Sequence, residues 1–236
     1  MNHFRNLFKQ PSDYALNGQR ENFSNHSFCY FICPFIFPVY QQMPLMANPM
    51  SRMDERCISQ AELDYRNDMR SLWEEHVAWT RMAIISLVFD LPDINEVLAR
   101  LLKNADDMGN MIRILYGDDV ATTYSRLIQE HLLIAADLVK AAIAGDTQAA
   151  QEAEKKWYKN ADEIARFLSS VNPFLTEEAV REMFYKHLDL TKQEAIFMIN
   201  HQFEEDIAVY DEIEKQAREM ADAISDAMVQ HYSNIF

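Results

Sequence analysis

From about residue 60 to the C-terminus, apolar side chains recur at steps of three and four, the spacing of one helix face. Residues 62–89 carry the stripe Leu72/Trp73, Val77, Thr80, Ala83/Ile84, Leu87. Pro92 and Asp93 suit a first helical turn, and Ile94, Val97, Leu98 and Leu101 follow as a buried face. A second short piece, about 105–116, is expected to end at Gly117. A long helix over about 118–144 ends at Gly145, and Asp146 or Thr147 caps the next, which runs to about 171. Pro173 breaks the chain, Thr176 caps a helix reaching about Asn200, and a last helix spans about 202–231. On that last helix Phe203, Ile207, Tyr210, Ala217, Ala221, Ile224 and Met228 share a face. No segment alternates apolar and polar for long, so no sheet is expected. The fold class is all-α: an antiparallel bundle of about five long helices plus a short helical insert.

Residues 1–55 follow a different pattern. They hold five of the seven prolines and one of the four glycines, with four acidic and four basic residues. The expected organisation is an N-terminal extension, 1–55, and a helical bundle domain, 56–236. The apolar run Phe28–Tyr40 is too short to span a bilayer, and Pro34 and Pro38 interrupt it. It also lacks the basic lead and small-residue cleavage site of a signal peptide. The extension reads as a disordered tail or as sequence ahead of a later start, for which Met43, Met46, Met50 and Met53 are candidates.

Charge narrows the partners. Lys and Arg number 22 against 37 Asp and Glu, a formal net charge of −15, and all of that excess lies in 56–236. Nucleic acid and anionic lipid are therefore disfavoured as partners. No apolar run is long enough for a membrane span. The three cysteines, Cys29, Cys33 and Cys57, make no disulfide framework, which points to a reducing compartment, the cytoplasm. Self-association into a homo-oligomer stays open.

The candidate chemistry is a repeated histidine. Glu75-His76…Thr80, Glu130-His131…Ala135 and Lys186-His187…Thr191 each place His and the residue four later on the apolar stripe. In an antiparallel hairpin, residues equidistant from the turn lie at one height. His131 and Asn160 have their midpoint at 145.5, Asn160 and His187 at 173.5, and His187 and Glu214 at 200.5, each inside an expected turn. Those hairpins put His131, Asn160, His187 and Glu214 in one layer. His76 cannot be placed by this arithmetic because the helical insert intervenes, but its local pattern makes it a further member. Thr191, Glu163 and Tyr210 fall one turn away.

Buried imidazole and carboxylate are the ligand set of a transition metal, Fe, Mn, Zn or Cu, and bundles build such sites from facing helices. The expected ligands are His76, His131, His187 and Glu214, with Asn160, Glu163, Thr191 and Tyr210 around them. Redox chemistry, storage and sensing all remain open for such a centre. A second reading is a non-catalytic scaffold or oligomerisation module whose polar layer only fixes helix register. A third is metal-free acid–base catalysis by a His with Glu163 or Glu214. The doublets Glu74-Glu75 and Glu204-Glu205-Asp206 read as solvated faces.

The segments Leu72-Trp-Glu-Glu-His-Val-Ala-Trp-Thr-Arg81, Glu130-His131-Leu, Trp157-Tyr-Lys-Asn-Ala-Asp-Glu-Ile164, His187-Leu-Asp-Leu-Thr191 and Tyr210-Asp-Glu-Ile-Glu214 together resemble a bacterial family of small, all-helical, uncharacterised proteins. The resemblance covers about three quarters of the chain. Some members of that family carry the label acetylglutamate kinase. An amino-acid kinase needs Gly-rich phosphate loops on an α/β sheet, whereas 56–236 holds three isolated glycines and no strand pattern. The resemblance implies an all-helical fold and transfers no site residues.

Overall fold

Helix starts and stops follow from local chemistry. The computed structural model describes residues 58–236, so the expectations for 1–55 and for the three cysteines lie outside the described residues. Ser59 opens α1 (Gln60–Val88) by accepting the amide of Glu62, Asp146 opens α4 (Thr147–Val171) through the amide of Ala149, and Thr176 opens α5 (Glu177–Ile199) through that of Ala179. Each cap satisfies an amide that the first turn leaves without a partner. The remaining helices are α2 (Ile94–Tyr116), α3 (Asp118–Ile143) and α6 (Phe203–His231). A single residue, Gly117 at φ 80°, separates α2 from α3; a side chain there would be strained.

Residues 58–236 are all-helical, with no strand among them. The expected short insert is instead part of α2, a continuous helix of 23 residues. The stripe Val97, Leu101, Ala105, Met108, Ile112 runs unbroken through it and buries all five residues. The six helices therefore form three hairpins, α1–α2, α3–α4 and α5–α6. Neighbours in sequence pack side by side, α6 returns against α1, and α1 also touches α3 and α5. The odd-numbered helices thus share the centre, with one long apolar core running through Trp73, Ile128, Ile164, Phe184 and Ile213.

The face assigned to the start of α6 needs correction. Phe203 and Ile207 are 48% and 57% exposed, and Asp206 and Val209 are buried in their place. Gly109 shows how closely α2 and α3 approach: a Cβ there would lie 1.8 Å from Ser125 Oγ and 2.8 Å from the Ala121 carbonyl oxygen. The serine can rotate away, but the carbonyl belongs to the α3 backbone. Gly109→Ala is expected to lower stability by about 1–2 kcal/mol, overpacking outweighing the gain in helix propensity. A urea midpoint equal to or above that of the wild type would refute this.

Candidate functional site

The three repeated histidines meet in the core. His76, His131 and His187 are each only 2–3% exposed. Ring centroids lie 5.7 Å apart for His76 and His187 and 6.4 Å apart for His131 and His187. On the side of the preceding helical turn the layer is closed by Trp73 and Phe184, whose rings pack against the imidazoles. On the other side stand Thr80, Ala135 and Thr191, each four residues after its histidine.

One hydrogen-bond relay is repeated in all three hairpins. Nδ1 of His76 meets Asn104 Oδ1 at 3.0 Å, that of His131 meets Asn160 Oδ1 at 2.9 Å, and that of His187 meets Gln216 Oε1 at 3.1 Å. The amide nitrogens of Asn104, Asn160 and Gln216 donate in turn to the carbonyls of Leu72, Leu127 and Met183 at 3.0–3.1 Å. Each of those carbonyls belongs to the residue four before the histidine. A carbonyl only accepts, so the amide nitrogen must face it and the amide oxygen must face the ring. Nδ1 therefore carries the proton in all three rings, and each Nε2 holds a lone pair. His131 Nε2 accepts the Trp157 indole N–H at 3.1 Å. Among the described residues, the hydrogen bonds of His76 and His187 run through Nδ1.

Burial keeps these rings neutral. It lowers His76 to about 4 against the opposing pull of Asn104. It lowers His187 to about 3, with the neighbouring His76 adding to the effect. His131 is held well below the usual histidine range, first by burial and then by His187 and His76. Neutral imidazole is the form that ligates metal.

The other expected members separate. Asn160 is in the layer, as its bond to His131 shows. Glu214 is not: its side chain is 41% exposed and paired with Arg218. It is therefore not a member of the layer, and Gln216, two residues on, takes the place opposite His187. Glu163 is 39% exposed and pairs with Lys159. Neither carboxylate is buried with the imidazoles, so the acid–base reading loses its partner. Tyr210 lies under the Arg81 guanidinium, 4.6 Å from ring centroid to carbon. Thr191 is buried and, among the described residues, its Oγ1 has no hydrogen-bond partner. The indole N–H of Trp73 is likewise without a partner among the described residues. Among the described residues, no group of three or more His, Cys, Asp or Glu side chains stands close enough as placed to hold an ion.

Sequence reasoning missed Asn104, Gln216 and a buried ion cluster. Arg81 donates to Glu194 Oε1 at 2.7 Å and to Asp206, and both carboxylates are almost wholly buried. Asp206 is thus no part of a solvated face. The signal was present: Asp206, Val209, Ile213, Gln216/Ala217 and Met220 continue one stripe at steps of three and four, as do His187, Thr191, Glu194 and Met198.

No protein family, curated protein or solved structure matches this chain. Among the described residues, no helix is long and apolar enough to cross a membrane.

Proposed function

We propose that the bundle binds one transition metal ion, Fe, Mn, Zn or Cu, through Nε2 of His76, His131 and His187. The observation that carries this reading is the threefold relay. Each Nδ1–H is committed to an amide that is itself anchored to a carbonyl, which is how ligating histidines are oriented by the groups behind them. Three neutral rings with Nε2 lone pairs then share one buried layer. On a common tetrahedral ion, imidazole centroids stand about 5 Å apart. For the two pairs that share His187, the separations of 5.7 and 6.4 Å ask the rings to close inward by up to about 1 Å. Trp157 must also release His131. A three-histidine site keeps a fourth position for water or substrate, so redox, storage and sensing roles are all compatible with it.

A second reading has its own observation. His131 already uses both ring nitrogens within the protein, as a residue that only locks helix register would. Chelator-stripped, tag-free protein titrated with Co²⁺ or Zn²⁺ separates the two. The metal reading expects 1:1 uptake with a Kd below about 1 µM, at least 100-fold weaker binding in His187→Ala, and tighter binding in Trp157→Phe, whose indole no longer competes. If neither the wild type nor Trp157→Phe takes up stoichiometric metal, the proposal fails. His187→Ala would then be expected to lose stability equally with and without metal, as the register lock requires.

A further inference from the structure

We infer that the end of the bundle beyond the histidines is a binding site for a small, uncharged aliphatic molecule of about six to nine carbons bearing one hydrogen-bonding group. A cavity of about 220 Å³ begins at Thr80, Ala135 and Thr191, the three residues one turn past the histidines. Its walls come from five of the six helices, α1 to α5, and are almost wholly apolar. The cavity interrupts the core. Ala83, Leu101, Leu132 and Trp157 of the main apolar cluster line it on one side, and Ile84, Val139 and Ala195 of a separate small cluster line it on the other. It is a pocket partly open at this end of the bundle, where Ile196 in its wall is exposed, and not a sealed void in the core. A dry cavity of about 150 Å³ accepts benzene, which sets the scale for the ligand.

Thr191 supplies the polar contact. In the equivalent place Thr80 returns its hydroxyl to the carbonyl of His76 at 2.8 Å. Thr191 Oγ1 does not do this: Thr191 is part of the cavity wall, and its buried Oγ1 has no hydrogen-bond partner among the described residues. An unmade hydrogen bond of this kind costs stability that a ligand's oxygen would restore. The ligand should be uncharged. Among the described residues the cavity wall carries one cation, Lys192, and Glu154 already neutralises it at 2.8 Å. An alcohol, ketone or amide fits these groups; a carboxylate would enter an apolar chamber of an acidic protein without a counter-charge.

The test is titration of the full chain, with chelator present, by 1-octanol, octane-like apolar probes and octanoate, read by calorimetry and thermal shift. The inference expects saturable 1:1 binding of 1-octanol that raises Tm, and octanoate at least tenfold weaker. Thr191→Val keeps the shape and removes the hydroxyl. It should weaken 1-octanol about fivefold, leave the apolar probe unchanged, and leave the ligand-free protein at least as stable as the wild type. Ala195→Phe should fill the chamber and abolish binding of both. No binding of 1-octanol to the wild type, tighter binding of octanoate, or an unchanged 1-octanol affinity in Thr191→Val would each overturn it. So would a loss of stability in ligand-free Thr191→Val, because the hydroxyl would then have an internal partner. Chelator removes metal from every arm, so failure here leaves the metal reading standing, and the reverse.

Discussion

Metal-free protein should lose about 4 kcal/mol of stability between pH 7.5 and pH 5. His76 and His187 titrate near 4 and 3 when folded, and His131 also lies well below the usual 6.5. A base with a depressed folded pKa contributes stability that is present above the unfolded value and lost as pH falls towards the folded one. At pH 5 each ring that must stay neutral costs about 2 kcal/mol, so three cost about 6. Glu194 works in the opposite sense. Burial raises it to about 7 despite Arg81, so the folded state gains relative stability, about 2 kcal/mol, as pH falls across the same interval. Three rings outweigh one acid. With net stabilities of about 5–15 kcal/mol and about 2–4 °C of Tm per kcal/mol for a domain of this size, Tm should drop by about 8–16 °C. Melting curves by far-UV circular dichroism in chelator measure this. A Tm constant within about 3 °C from pH 7.5 to 5 would show that the rings are not held neutral by the fold.

Replacing Arg81 by Met should destabilise the protein by about 3–5 kcal/mol at pH 8, the cost of stripping the partner from buried charge. The guanidinium is the cation facing both Glu194 and Asp206, and its other face covers Tyr210. Without it, two carboxylates from α5 and α6 face each other in the interior. The loss should shrink towards pH 5, because Glu194 can then take a proton. The double variant Arg81→Met/Glu194→Gln should recover part of the loss at pH 8 by removing one charge. Urea denaturation at the two pH values tests both statements. A loss under about 1 kcal/mol at pH 8 would mean that water, not Arg81, compensates these carboxylates.

The histidines were legible because each sits inside a strong local stripe. The pairing of His131 with Asn160 was legible because the turn between them is symmetric about 145.5. The same arithmetic failed at the next hairpin by one residue in the turn. His187 and Gln216 are centred on 201.5, not 200.5, in a turn where His201 adopts φ 57°. Moving the partner by two residues turns it by about 200° around the helix, from Glu214 in solvent to Gln216 in the core. The sequence pattern divides α2 into two pieces, and that leaves His76 without a place in the arithmetic. With α2 whole, His76 and Asn104 are 28 residues apart, beside 29 and 29 in the other hairpins.

Helical class, caps, breaks and the inward faces of three histidines are properties of residues close in the chain, and local periodicity carries them. Which amide answers each ring, whether an acid on a polar-looking run is buried against Arg81, and where the core leaves a chamber depend on groups more than 25 residues apart. Those were decided by the packing of helices around a common centre, where a rotation of half a turn exchanges solvent for interior.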